Sequence, residues 1–468
     1  MAVDYLEKAV AVVPNKRQLD FMNTEFNGIV NFGMNTFTGR DEGTGFEEPD
    51  LFNPTAFDAE QWVRVAKRTG MSGLVLNCKH HDGFCLWPTE YTDYSVKASC
   101  WLDGEGDVVR AVSDACRKYD IKFGVALSPL DYHEPSFGKG KEYDIFFKNL
   151  LRELLTNYGE VFCVSLDGAT DHRKNGKNQA YDWEGYFKLI RELQPNAAIT
   201  NCGPDIRWCG NNSGVCRLSE WSVVPSYYKA VDPDSDKKIA VGKNPVNFTQ
   251  TDIASRRKIK RCDDFIWYPA EVTMPLRDSW FYKQGQTLSI KPLSKLQKVY
   301  DGSVGGNATF LLGLTPQPDG IIGEKDIETL ATFGAVLSLH FEDNLALDSS
   351  MQGSCQLDNK HAPSMALPDK EGYWHSGVEP KNAELILDMG DEYDVDRVVV
   401  CENIETGQQI EKFAVFAEVG GKWKKLSTGT VIGRKRICEF KNTVRTRRVK
   451  LVILKTRKFA TIKEFSAY

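Results

Sequence analysis

Residues 72–78, SGLVLNC, form a short apolar run without polar alternation, and residues 107–120, DVVRAVSDACRKYD, place apolar side chains three and four apart. The first pattern predicts a strand buried on both faces, the second an amphipathic helix. The same couplet recurs on either side. GIVNFGM (28–34) precedes AEQWVRVAKRTG, IKFGVALS (121–128) precedes DIFFKNLLRELLTNYG, VFCVSL (161–166) precedes WEGYFKLIRELQP, and AAITNC (197–202) comes next. At least four such units in a span of about 300 residues favour a (β/α)8-like TIM barrel over an open doubly wound sheet. No Gly-x-Gly-x-x-Gly fingerprint follows the first strand to argue for a dinucleotide fold. In a barrel, residues just past the C-terminal strand ends line the active site; here these are Asn31, His80 and His81, Asp131 and His133, Asp167, and Asn201.

Beyond about Phe341 the texture changes. NAELILDMG, DRVVVCENI, KFAVFAEVG, WKKLSTGTVIG, RICEFKN and RRVKLVILK are short, β-branched and separated by turn residues. Residues 1–341 are therefore expected to form the catalytic barrel and residues 342–468 an all-β sandwich, with carbohydrate binding a candidate role for the latter. DNKHAPSMALPDKEGYWHSG, before most of these strands, reads equally as linker, exposed loop or substrate-facing edge.

Composition narrows the partners. With 41% hydrophobic residues, 26% charged residues and a formal net charge of -5, the chain offers no polybasic field for nucleic acid or anionic lipid. No apolar run approaches a membrane span, and the N-terminal stretch has early acids and no unbroken apolar core, unlike a signal peptide. The 12 cysteines lie in apolar contexts without a C-x-x-C pair, which predicts buried thiols and a cytoplasmic location. No metal and no cofactor are expected, and the sequence leaves the oligomeric state open.

The loop KHHDGFCLWPTEY (79–91) carries two of the chain's 7 histidines side by side. Neighbours on an extended segment point to opposite faces, which argues against a shared metal ion. Lys79, Asp82, Phe84, Trp87 and Tyr91 around them suit a hydroxylated ligand, since sugars are held by aromatic faces and several polar groups. VSLDGATD places Asp167 at a strand end before Gly168, which lets the backbone turn close to a ligand. Such a carboxylate serves either as a loop cap or as the nucleophile of a retaining glycosidase.

KHHDGFCLWPTEYTDYSV resembles the signature of the α-L-fucosidases of glycoside hydrolase family 29. NFGMNTFTGR, GDVVRAV, LRELLTNYGEVF, LDGA, YDWEGYFKLIRELQPNA, SEWSVVP, PAEV with WFY, and SVGGNATFLL are similar to further family blocks in family order. CENIETGQQI and IGRKRI resemble the C-terminal domain of the branch acting on α-1,3/4-linked fucose. The resemblance implies that His80 and His81 grip fucose hydroxyls and that Asp167 attacks the anomeric carbon. It further implies sugar contacts from Asn31, Glu42, Trp87, Asp131, Arg207 and Trp280, and a fucosylated oligosaccharide or glycoconjugate as the partner.

Departures from the family pattern concentrate in the pocket. Asn31 stands where relatives have His, Asp41-Glu42 where they have Glu-Trp, Ser165-Leu166 where they show an aromatic pair, and Leu130 where a Trp follows Ser-Pro. RWCGNNSG puts Asn212 at the place of the family's general acid, a Glu in Gly-Asn-Glu. An amide donates no catalytic proton, so Glu271 and Glu220 become the first candidates for acid/base, ahead of Glu42. The expected activity is an exo-acting, retaining α-L-fucosidase. The alternatives are a glycosidase of the same fold with altered sugar preference and a catalytically impaired carbohydrate-binding protein.

Overall fold

The computed structural model describes residues 4–167, 178–230, 240–241, 244–245, 250–285, 289–377 and 382–468. Eight strands form one parallel sheet: β1 (Phe26–Val30), β2 (Gly73–Lys79), β3 (Lys122–Leu127), β4 (Cys163–Leu166), β5 (Ala198–Asn201), β6 (Arg207–Trp208), β7 (Ala270–Pro275) and β8 (Ala308–Leu314). Their spatial order is β5-β4-β3-β2-β1-β8-β7-β6. This is the expected barrel, closed except at the seam between β5 and β6. There the amides of Asp205 and Ile206 both donate to the Ile199 carbonyl at 3.3 Å, in place of a ladder.

Helices α1 (Ala59–Arg68), α2 (Val108–Lys118), α3 (Lys141–Asn157), α4 (Trp183–Leu193), α5 (Leu293–Ser303) and α6 (Glu324–Phe341) flank the strands. Side-chain caps start several of them: Asp58 accepts from the Gln61 amide and Asp107 from the Arg110 amide, satisfying donors the first turn leaves open. Trp62, Val63, Val65 and Ala66 of α1 then turn inward with Val108, Val109 and Val112 of α2 onto the outer barrel wall. All seven residues of β2 are buried, as a continuously apolar parallel strand requires. No helix links β5 to β6, and between β6 and β7 the chain makes a separate antiparallel pair, Val223–Pro225 with Phe265–Trp267. The barrel is therefore irregular on the side that carries Arg207, Asn212 and Glu220.

The C-terminal domain is antiparallel throughout. Its long strands, β9 (Ala383–Glu402) and β12 (Arg436–Thr456), pair with each other through register shifts; β13 (Thr461–Ala467) joins β9, β10 (Ile410–Val419) joins β12, and β11 (Lys422–Gly429) pairs with β10. Alternate residues such as Leu385, Leu387, Val415, Val449 and Leu451 fill its core. The two units share packing: Val399, Cys401 and Ile437 join the barrel's apolar cluster. Glu25 pairs with Arg434 and Lys435 across the junction. All twelve cysteines are free; seven are buried, but Cys100 is exposed, contrary to a uniform reading as buried thiols. Among the described residues no helix is long and apolar enough to cross a membrane.

Candidate active site

Every barrel strand sends a side chain into one cavity of about 410 Å³: Ile29, Asn77, Ala126 with Leu127, Ser165, Asn201, Trp208, Glu271 with Thr273, and Leu311. Loops after the strands complete it with Asn31, Asp41, Glu42, His80, His81, Asp167, Asn212 and Trp280. Eight of the twelve residues named above as catalytic candidates or sugar contacts thus meet in one place, Asn31, Glu42, His80, His81, Asp167, Asn212, Glu271 and Trp280, and Asn201, expected from its strand end, joins them. Gly168, expected to turn the chain after Asp167, lies outside the described residues.

The two histidines do not diverge. β2 ends at Lys79, so strand alternation no longer governs His80 and His81; their rings lie 3.9 Å apart, tilted by 35°, on the same cavity wall. Phe281 packs edge-on to His80 at 4.9 Å. Asn35 Nδ2 lies 3.1 Å from His80 Nδ1 and donates to Asp82 Oδ2 at 3.0 Å. His81 Nδ1 is 2.7 Å from Ser128 Oγ, whose hydroxyl donates to Asp167 Oδ1 at 3.0 Å. Asp167 Oδ2 lies 4.0 Å from the same imidazole nitrogen.

Opposite this group sits Glu271, on β7. It is 4% exposed, and among the described residues no hydrogen bond or ion pair reaches its carboxyl; burial alone pushes its pKa up to about 8. It therefore faces the cavity as a neutral carboxylic acid near neutral pH. Two residues on, Thr273 accepts from Trp208 Nε1 at 2.9 Å and donates to Asn212 Oδ1 at 2.8 Å. That contact orients the amide, whose Nδ2 donors remain to meet a ligand in the cavity. Asn31 Oδ1 accepts from Asn77 Nδ2 at 3.0 Å, while its own Nδ2 is buried without a partner among the described residues. Asp41 is held at the rim by Lys283 at 2.6 Å.

Four expected sugar contacts or acids lie elsewhere. Glu220 is fully buried between Arg207 and Arg217; against the cost of burial the two guanidinium groups hold its carboxyl below the usual range, so it has no proton to give. Arg207 is committed to that pair and to the carbonyls of Tyr268 and Trp221. Asp131 is buried against Lys79, 3.0 Å away, beneath the histidine loop, and accepts from the His133 and Glu134 amides. Trp87 is a core side chain whose Nε1 donates to Glu153 at 2.8 Å. His133 stacks on Tyr94 at 4.2 Å rather than entering the cavity. For Asp131 and His133, past the end of β3, the strand-end position fixes height in the barrel, whereas local pairing decides which way the side chain turns.

Residues the sequence reading passed over are Asn35, Asn77, Ser128, Trp208 and Thr273. Thr273 was within reach, since it lies two residues beyond Glu271 and hence on the same strand face. Ser128 directly follows β3, a position that the strand-end rule covers. Among the described residues no group of three or more His, Cys, Asp or Glu is arranged to hold a metal ion.

An α-L-fucosidase family model matches residues 5–342, and an F5/8 type C domain model matches residues 349–465. Alpha-L-fucosidase 1 of Arabidopsis thaliana is 36% identical over 455 residues, covering 95% of this chain and 85% of its own. Human plasma alpha-L-fucosidase is 34% identical over 164 residues, 32% of this chain and 33% of its own. The solved structure of a Ruminococcus gnavus fucosidase of glycoside hydrolase family 29, in complex with fucose, superposes with a TM-score of 0.85 at 30% identity, covering 98% of this chain and 95% of that one. The chain belongs to the α-L-fucosidase family.

Proposed function

We propose that the protein is an exo-acting, retaining α-L-fucosidase that releases terminal fucose from α-1,3/4-fucosylated glycans, with Asp167 as nucleophile and Glu271 as acid/base. The observation that carries this reading is the pairing, in one cavity, of Asp167 with a second carboxyl whose pKa is raised to about 8. Retaining hydrolysis needs one carboxylate to attack and one carboxylic acid to protonate the departing oxygen. Ser128 donates to Asp167 Oδ1, an interaction that fixes the direction of the carboxylate. Glu271, protonated at neutral pH, supplies the proton to the leaving sugar oxygen; once ionised, it takes a proton from the water that hydrolyses the fucosyl-Asp167 ester. The restoring step suits a base whose conjugate acid titrates near the working pH.

Asn212 fits this scheme as a hydrogen-bond donor rather than as the acid. The α-1,3/4 assignment rests on the family-like blocks of the C-terminal domain.

The test is hydrolysis of p-nitrophenyl α-L-fucoside and of an α-1,3/4-fucosylated oligosaccharide. Asp167→Ala should abolish both. Glu271→Gln should lower oligosaccharide turnover by about 10²–10⁴-fold; on the nitrophenyl substrate, whose leaving group needs little protonation, it should spare the first step and give a burst of nitrophenol followed by slow hydrolysis of the ester. A silent parent protein made active by Asn212→Glu would instead mean a fucosidase scaffold that has lost its proton donor.

A further inference from the structure

β6 brings Trp208 to the cavity on a strand of two residues, and among the described residues its only ladder is with β7, where Trp208 lies in register with Glu271. A strand that short, beside the open seam, needs an anchor outside the sheet. Arg207 provides it: its buried guanidinium pairs with the Glu220 carboxylate and donates to the Trp221 carbonyl at 3.2 Å. What holds residues 220–222 in turn belongs to the β domain. Gln408, fully buried in the loop between β9 and β10, accepts from the Ser222 amide at 2.7 Å and donates to the Glu220 carbonyl at 3.3 Å. The Ser222 N–H can only donate, which fixes the orientation of the Gln408 amide. A carbonyl and the amide two residues on are the pair that a parallel neighbour strand would engage, so this one side chain stands in for a rung of sheet. Asn307, just before β8, reinforces the joint: it donates to the same Glu220 carbonyl at 2.8 Å, and its Oδ1 accepts from the Arg434 amide of the β domain at 2.7 Å.

We propose that Gln408 makes the β domain a working part of the barrel's cavity: it is a positioning residue that holds residues 220–222, through them Arg207, and so keeps Trp208 and the in-register Glu271 in place on the cavity wall. Among the described residues none of the β domain lines the cavity itself, so its influence runs through this backbone segment and the Arg207–Glu220 pair. The catalytic part of this inference rests on the fucosidase reading, whereas the placement of Trp208 is a property of the free protein.

The experiment uses the full chain labelled with fluorotryptophan and examined by fluorine NMR, with the signals of Trp208 and Trp62 assigned through Trp208→Phe and Trp62→Phe. Gln408→Met keeps the side chain's length and loses both hydrogen bonds; Gln408→Glu keeps only the acceptor and serves if the first variant does not fold. Val399→Ala opens a cavity in the same interdomain packing but off this route, and so controls for lowered stability. Either Gln408 variant should move the Trp208 signal, leave that of Trp62 in place, and lower kcat/KM on an α-1,3/4-fucosylated oligosaccharide about tenfold or more, since small misplacements of positioning groups are costly. Val399→Ala should lower Tm with the Trp208 signal and kcat/KM unchanged. An unmoved Trp208 signal in the Gln408 variants, undiminished kcat/KM in an active protein, or the same shift and loss in Val399→Ala would overturn the proposal. A moved Trp208 signal in a protein whose parent hydrolyses no fucoside overturns the proposed function but leaves the positioning role of Gln408 standing.

Discussion

Glu271 and Glu220 are both buried glutamates, and their surroundings push them in opposite directions. Glu271 has a folded-state pKa of about 8, above that of an unfolded carboxyl, so between these values the native state keeps a proton that the unfolded chain has released. Stability attributable to this residue is full at acid pH and is lost as pH rises toward 8. Glu271→Gln should match the parent in Tm near pH 5 and exceed it increasingly up to about pH 8. On the parent enzyme, the same titration should place the alkaline limb of kcat/KM near pH 8. Glu220→Gln should do the reverse: by leaving Arg207 and Arg217 uncompensated in the interior it should cost roughly 3–5 kcal/mol, seen as a large drop in denaturant midpoint. At this scale the sequence showed His80, His81 and Asp167, whose neighbours have unmistakable chemistry. It did not separate Glu271 from Glu220, because burial with and without a counter-charge looks identical in one dimension. Asn35 and Ser128 were equally hidden, since their importance lies in which atom of a distant ring they touch.

Strands β1 to β4 were legible because each is an apolar run followed by an amphipathic helix, and β5 as the apolar run that comes next. β6 was not, since two residues, Arg207 and Trp208, show no period. β7 was seen as a motif, PAEV, before it could be seen as a strand; its inward pair Glu271 and Thr273 alternates with buried Ala270, Val272 and Met274. The turn after β2 offers a sharper test. Gly83 has φ +94°, and a Cβ there would lie 2.5 Å from Asp131 Oδ1 and 2.9 Å from the His133 side chain. Gly83→Ala should therefore strain the backbone, press on the buried Lys79–Asp131 pair and displace His80 and His81 together. The expected outcome is a KM raised several-fold alongside a lowered Tm, both measurable on the nitrophenyl substrate. Loss of stability with unchanged KM would mean that the loop reseats its histidines independently of the turn.

The barrel followed by a β domain was legible as a change of texture near Phe341, but their mutual dependence was not, because contacts between distant segments leave no local pattern. Val399, Cys401 and Ile437 complete the barrel's apolar cluster, and Arg457 lies 3.8 Å over the ring of Trp221. Unfolding by calorimetry should consequently show one transition rather than two, and a chain cut after Phe341 should expose this seam and aggregate. The barrel itself carries a mechanical asymmetry. A hoop of eight strands resists stretching through its rungs, and between β5 and β6 the rungs are reduced to two bonds on one carbonyl, next to Asn201, which sits at φ +66°. Any widening of the ring concentrates there, as a bracelet opens at its clasp. Asn201 and Trp208 flank that clasp and line the cavity, so the pocket's girth is set by its weakest joint, and amide exchange at Ile206 should outpace that at Val75 on the opposite side of the ring.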